Sequence, residues 1–109
     1  MKLNIYEKKE IIKTYSAETY EIMFGTIDDL IGLINFDNLT VINDTEMIKM
    51  VGELVIKGYD SFKDLLKDIF DGLTDEELKN TRLSEVVTVI VTLIKFTIKQ
   101  ITSGVSEKN

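Results

Sequence analysis

LSEVVTVIVTLIKFTIKQIT, residues Leu83 to Thr102, is the stretch whose reading decides the fold. Wound at 3.6 residues per turn, it gathers Ser84, Glu85, Thr88, Thr92, Lys95, Lys99 and Thr102 into one narrow polar stripe. Leu83, Val86, Val87, Val89, Ile90, Val91, Leu93, Ile94, Phe96, Ile98 and Ile101 fill the remainder, well over half the circumference. An ordinary surface helix needs an apolar stripe of only about 100° or somewhat more. Two readings account for the excess. In one, this is a central helix covered on two sides by its own chain. In the other, Val89, Leu93 and Phe96 form a second face for another subunit or a client.

The stretch does not read as a strand. Its Val, Ile and Thr favour strands, but it is far longer than the usual ~5–6 residues, and its polar positions follow a helical stripe. Nor does it read as a membrane span. Only Val86 to Ile94 lies uncharged between Glu85 and Lys95, and a span needs about 20 apolar residues.

Composition narrows the function classes. The 109 residues suit one small domain, and 44% apolar with 29% charged residues is the profile of a folded soluble protein. The net charge of −6 comes without any basic run, so nucleic acid and anionic membrane are poor partners. Without Cys there are no disulfides and no thiol chemistry, which fits a reducing cytosol. MKLNIYEKKE lacks the apolar core of a signal peptide. The absence of His removes the commonest general base and metal ligand near neutral pH. No metal or cofactor is expected, and no enzyme.

Along the chain, Lys2 to Tyr6 and Ile11 to Tyr15 read as two strands of a hairpin turning at Glu7-Lys8-Lys9-Glu10. The turn lacks an Asn-Gly or Asp-Gly signal, and the adjacent Ile11 and Ile12 break the alternation of the second strand. A lone hairpin is marginal in water, so it must lie on the helices or pair its edge with another chain. Ser16 is an N-cap candidate for a helix, or a kinked pair broken near Gly25-Thr26, reaching about Asn35. Its face carries Tyr20, Met23, Phe24, Ile27, Leu30, Ile31 and Ile34, and Tyr20 and Phe24 are expected inside. Phe36 to Asn43 reads as a loop. Asp44 or Thr45 is expected to cap the next helix, with Met47 and Met50 as interior packing and Ile56 pointing elsewhere. Gly58 marks a break, or a bend in one helix from 45 to 71, and Asp60 is a candidate cap after it. Tyr59, at that break, is the aromatic most expected to face outward. Gly72 suits a helix end. Thr74-Asp75-Glu76-Glu77 spells a capping box.

The acids assemble no chemistry. Asp64, Asp68 and Asp71 share a helical face, but Lys63 and Lys67 sit at spacings that suit surface ion pairs with them. Asp71-Gly72 fits no calcium loop, because Lys67 and Leu78 would hold its first and twelfth positions.

Three runs carry a resemblance. Met1-Lys2-Leu3-Asn4-Ile5-Tyr6-Glu7, Tyr20-Glu21-Ile22-Met23-Phe24-Gly25-Thr26 and the segment from Leu65 to Leu78, LLKDIFDGLTDEEL, span much of the chain. They resemble runs in the tail assembly chaperones of long, non-contractile-tailed phages and prophages of Gram-positive bacteria. The resemblance implies a non-enzymatic, mostly helical protein of the host cytoplasm, absent from the mature virion. Such proteins bind the long apolar tape-measure protein and keep it soluble until tail-tube protein, a further contact the resemblance allows, polymerises around it. It assigns no functional residue. The residues themselves agree in kind, since a wide apolar helix can supply a groove for an apolar helical client, and coating a long client takes many copies, so a homo-oligomer is expected.

The expectation is therefore a single mainly α domain over 1–109. It comprises a β-hairpin over 1–15, a bundle of four to five helices over 16–102 and a flexible tail over 103–109. Val89, Leu93 and Phe96, with Ile56 and Tyr59, are the expected partner-binding residues. The rival functions are a tail-completion or terminator component of the virion, and a prophage regulator that binds a host protein.

Overall fold

The computed structural model describes residues 1–36 and 42–107, and side chains over 1–36 and 42–101. It is a two-stranded antiparallel hairpin followed by helices, mainly α. The strands are β1 (Lys2–Glu7) and β2 (Glu10–Ser16), and a short 3-10 turn follows at Thr19–Glu21. The helices are α1 (Phe24–Leu33), α2 (Asp44–Lys57), α3 (Tyr59–Ile69), α4 (Asp75–Leu78) and α5 (Leu83–Glu107). The loop expected over 36–43 falls mainly on 37–41, outside the described residues. The tail expected from Ser103 is helical as far as Glu107, and 108–109 lie outside the described residues.

The hairpin turns without glycine. Lys8 and Lys9 both take positive φ, 51° and 73°, as a two-residue turn of the right twist requires. Two L-residues in this region cost roughly 1–2 kcal/mol each, so anchoring of the strands must offset them. The register steps from Ile5↔Lys13 to Tyr6↔Ile11. Ile12 is thus the extra residue of a bulge, and that bulge is why two isoleucines stand side by side.

Leu3 and Ile5 are buried against the helices. The outer edge of β1 is also occupied. Tyr6 N–H donates to the Asn80 carbonyl at 2.8 Å, and Asn4 N–H donates to Glu85 Oε1 at 3.2 Å. Glu85 Oε2 accepts from the Tyr6 hydroxyl as well, and the Arg82 guanidinium stacks 4.1 Å above the Tyr6 ring. By helical spacing Glu85 belongs to the solvent stripe of α5, yet it clamps the hairpin to the first turn of that helix.

Several expected helix starts move. Ser16 ends β2, and the Met1–Ala17 pair extends the ladder beyond it, with Ala17 N–H donating to the Met1 carbonyl at 2.9 Å. The chain up to Ile22 is therefore strand and 3-10 turn, and α1 starts only at Phe24, with Met23 at its N-cap. The cap of α2 is neither Asp44 nor Thr45 but Asn43, just before them, and its side chain accepts from Glu46 N–H at 2.8 Å. Gly58 ends α2 and begins α3, so neither a continuous bent helix nor an Asp60 cap forms. Gly72 does take a left-handed φ of 88° after α3. The capping box at α4 forms as the sequence spells it: Glu77 N–H donates to Thr74 Oγ1, and Thr74 N–H to Glu77 Oε1, both at 3.1 Å.

The core is one contiguous cluster centred on α5. Helix α2 packs along it through Met47, Val51 and Val55, and β1 covers another side. Val89 and Leu93, placed by the sequence among the partner-binding residues, are 2% and 0% exposed. This is a correction with a plain cause. The wide apolar arc at mid-helix is consumed by the chain's own α2 and hairpin, so Val89 and Leu93 offer no free face. The threonines of α5 satisfy their hydroxyls locally: Thr88, Thr92 and the buried Thr97 donate to the carbonyls of Ser84, Thr88 and Leu93 at 2.7–2.8 Å.

Candidate functional site

The surplus apolar surface lies at the two ends of α5. Leu83 is 48% exposed and Ile101 54%, some 27 Å apart along the helix. Each end borders an apolar groove.

The first groove, about 410 Å³, opens where α2 meets α3 and α4 runs into α5. Val55, Phe62, Leu66 and Val86 form its floor, and Ile56, Tyr59 and Leu83 its lips. Ile56 and Tyr59 are 65% and 41% exposed, as the sequence expects of them. The break at Gly58 makes this geometry. It turns the chain between two helices, so Ile56 at the end of α2 and Tyr59 at the start of α3 face one opening.

The second groove, about 480 Å³, runs between the segment 19–31 and the C-terminal third of α5. Tyr20, Phe24, Ile27 and Ile31 form one wall, and Phe96 and Ile101 the other. Phe96, expected at a partner surface, is partly buried here. Tyr20 and Phe24 correct the expectation of interior packing, being 78% and 83% exposed, with Met23 beside them at 75%. The shifted start of α1 is responsible. Thr26 and Leu30 become its buried face, while Phe24, Ile27 and Ile31 turn toward α5 and solvent. A sequence reading that ran one helix through Ser16 could not find this. The available signal was Gly25-Thr26, which already suggested a fresh start.

Around the grooves the polar groups are structural locks. Glu77 Oε1 accepts from the Tyr15 hydroxyl at 2.6 Å, and Glu77 Oε2 pairs with the Lys13 ammonium at 3.1 Å. The Tyr15 hydrogen bond, reinforced by Lys13 and the Thr74 amide, pulls the Glu77 carboxyl down to about 2. Glu85 beside Tyr6 raises the phenol, and Lys67, then Lys63, lower Asp75. Lys63 and Lys67 reach Asp75 across the α3–α4 turn rather than the acids at 64, 68 and 71. Among the described residues Lys63–Asp60 is the one ion pair within α3, at 3.9 Å.

Glu77 makes stability pH-dependent in a defined direction. Its folded pKa lies below the ordinary 4.5. The stabilisation is therefore complete above about 4.5 and disappears as pH falls toward about 2. Denaturation midpoints measured across that window should fall for the wild type. They should fall less for Glu77→Gln, which begins lower at neutral pH because it lacks the charge held by Lys13 and Tyr15. Parallel curves for the two proteins would show that Glu77 does not link the hairpin to α4.

No helix among the described residues is long and apolar enough to cross a membrane. Comparison of the chain with protein families, with curated proteins and with solved structures finds no match in any of the three.

Proposed function

We propose that this protein is a tail assembly chaperone of a phage or prophage: it binds the apolar tape-measure protein in the host cytoplasm and is left out of the finished particle. The observation that carries the reading is the second groove. Three large apolar side chains, Tyr20, Met23 and Phe24, stand three-quarters or more exposed at its edge. A soluble domain seldom leaves such a group uncovered unless something binds there. The groove is open and lined on two sides by helical elements. It suits an apolar helical stripe laid along it better than a small molecule enclosed by it. Tyr20, Ile22 and Phe24, from the run that carries part of the resemblance, line the groove, which adds support from a separate direction.

Co-expression with the neighbouring tape-measure gene tests the reading. The expected result is a soluble complex, where the tape measure alone is insoluble. Mass spectrometry of purified particles should then find the chaperone far below one copy per tail ring. A fixed stoichiometric presence in particles, with no rescue of the tape measure, would identify a structural tail component instead. Capture of a host protein alone would identify a regulator.

A further inference from the structure

From Thr14 to Ile48 the sequence holds no Lys or Arg and seven acids. That run supplies the whole of one wall of the second groove. Glu18 and Glu21 flank the groove-lining residues Thr19 and Tyr20, and both carboxylates are exposed. No cation pairs with either of them among the described residues. The opposing wall contributes Phe96, Thr97, Gln100 and Ile101, which are uncharged. Two lysines of α5 lie near the groove: Lys95 is turned to Asp44 of α2 at 2.9 Å, and Lys99, next to Gln100, is engaged as well. The groove is thus apolar along its floor and acidic along its rim.

We propose that the helix this groove takes carries lysine or arginine beside its apolar stripe. The proposal rests on the reading of the groove as a client site and specifies the chemistry of the client. Carboxylates within a Debye length, about 10 Å at 0.1 M salt, attract cationic flanks and repel acidic ones. The long stems of Lys and Arg can also lie over the exposed rings of Tyr20 and Phe24 while their charged ends reach Glu18 and Glu21. The same rim disfavours a second copy of this chain as the occupant, because the chain itself carries a net charge of −6. Like charge across an interface rejects wrong partners.

The test uses the full chain and helical peptides of about 20 residues that share one Leu/Ile stripe. One peptide is flanked by Lys, another by Glu, and a third keeps the Lys flanks with its stripe changed to Ser. Binding is read by fluorescence anisotropy at low salt and at about 0.5 M salt. The Lys-flanked apolar peptide should bind roughly tenfold tighter than the Glu-flanked one at low salt, with the gap closing at high salt. Glu18→Lys/Glu21→Lys should narrow or invert that preference. Equal binding of the two apolar peptides overturns the proposal while leaving the groove as an apolar site, whereas equally tight binding of the Ser-stripe peptide overturns the apolar site as well. Failure of both apolar peptides to bind overturns the client site itself.

Discussion

Leu93→Ala is expected to remove roughly 2–5 kcal/mol of folding stability, a large share of the ~5–15 kcal/mol that a small domain possesses. Leu93 has no exposure at all and sits in the middle of α5, in the cluster that joins α2, α3 and β1. Removing three side-chain carbons there forfeits their burial and leaves a cavity that a well-packed centre closes only in part. Denaturant unfolding followed by circular dichroism measures the change. Ile56→Ala, at a side chain 65% exposed, is the matched control and should shift stability by no more than about 0.5 kcal/mol. If Leu93→Ala leaves the midpoint where it was, the middle of α5 is not the core, and the wide apolar arc of that helix is again available to a partner.

This contrast shows where the sequence was legible. The hydrophobic pattern of 83–102 identifies a central helix, and the surplus of apolar surface on it is real. Pattern alone does not say which part of the surplus the chain covers. A helical wheel projects twenty residues onto one circle, so Val89 and Leu93 looked equivalent to Phe96. In three dimensions neighbours cover α5 along its middle and leave its ends open. The hairpin, the Gly58 break, the positive φ at Gly72 and the Thr74–Glu77 box were readable because each depends on a few adjacent residues. Glu85 was not, since its partners Asn4 and Tyr6 lie some eighty positions away. The wall formed by Tyr20 and Phe24 was hidden by one boundary. Extending the helix back to Ser16 put both aromatics on the buried face. Ending β2 at Ser16 and beginning α1 at Phe24 rotates them into the open.

That boundary also gives the sharpest functional prediction. Phe24 is the first residue of α1 and is 83% exposed. An acidic side chain at this position faces the positive end of the helix dipole, so Phe24→Asp should fold as well as the wild type or slightly better. Its effect on the client should be severe. Phe24 is a large aromatic at the lip of the groove, the kind of side chain whose removal from an interface commonly costs 2 kcal/mol or more, roughly a thirtyfold loss of affinity. A carboxylate in its place must also be desolvated against the apolar stripe of the client. Co-expressed with the tape measure, Phe24→Asp should leave most of that protein insoluble while remaining soluble itself. Phe24→Leu, which keeps an apolar side chain at the lip, should retain most of the rescue. The pair of variants separates a binding defect from a folding defect, because thermal unfolding of all three proteins should nearly coincide. Full rescue by Phe24→Asp would mean that the client does not use this groove, and attention would pass to the opening framed by Ile56, Tyr59 and Leu83, the other place where α5 leaves apolar surface uncovered.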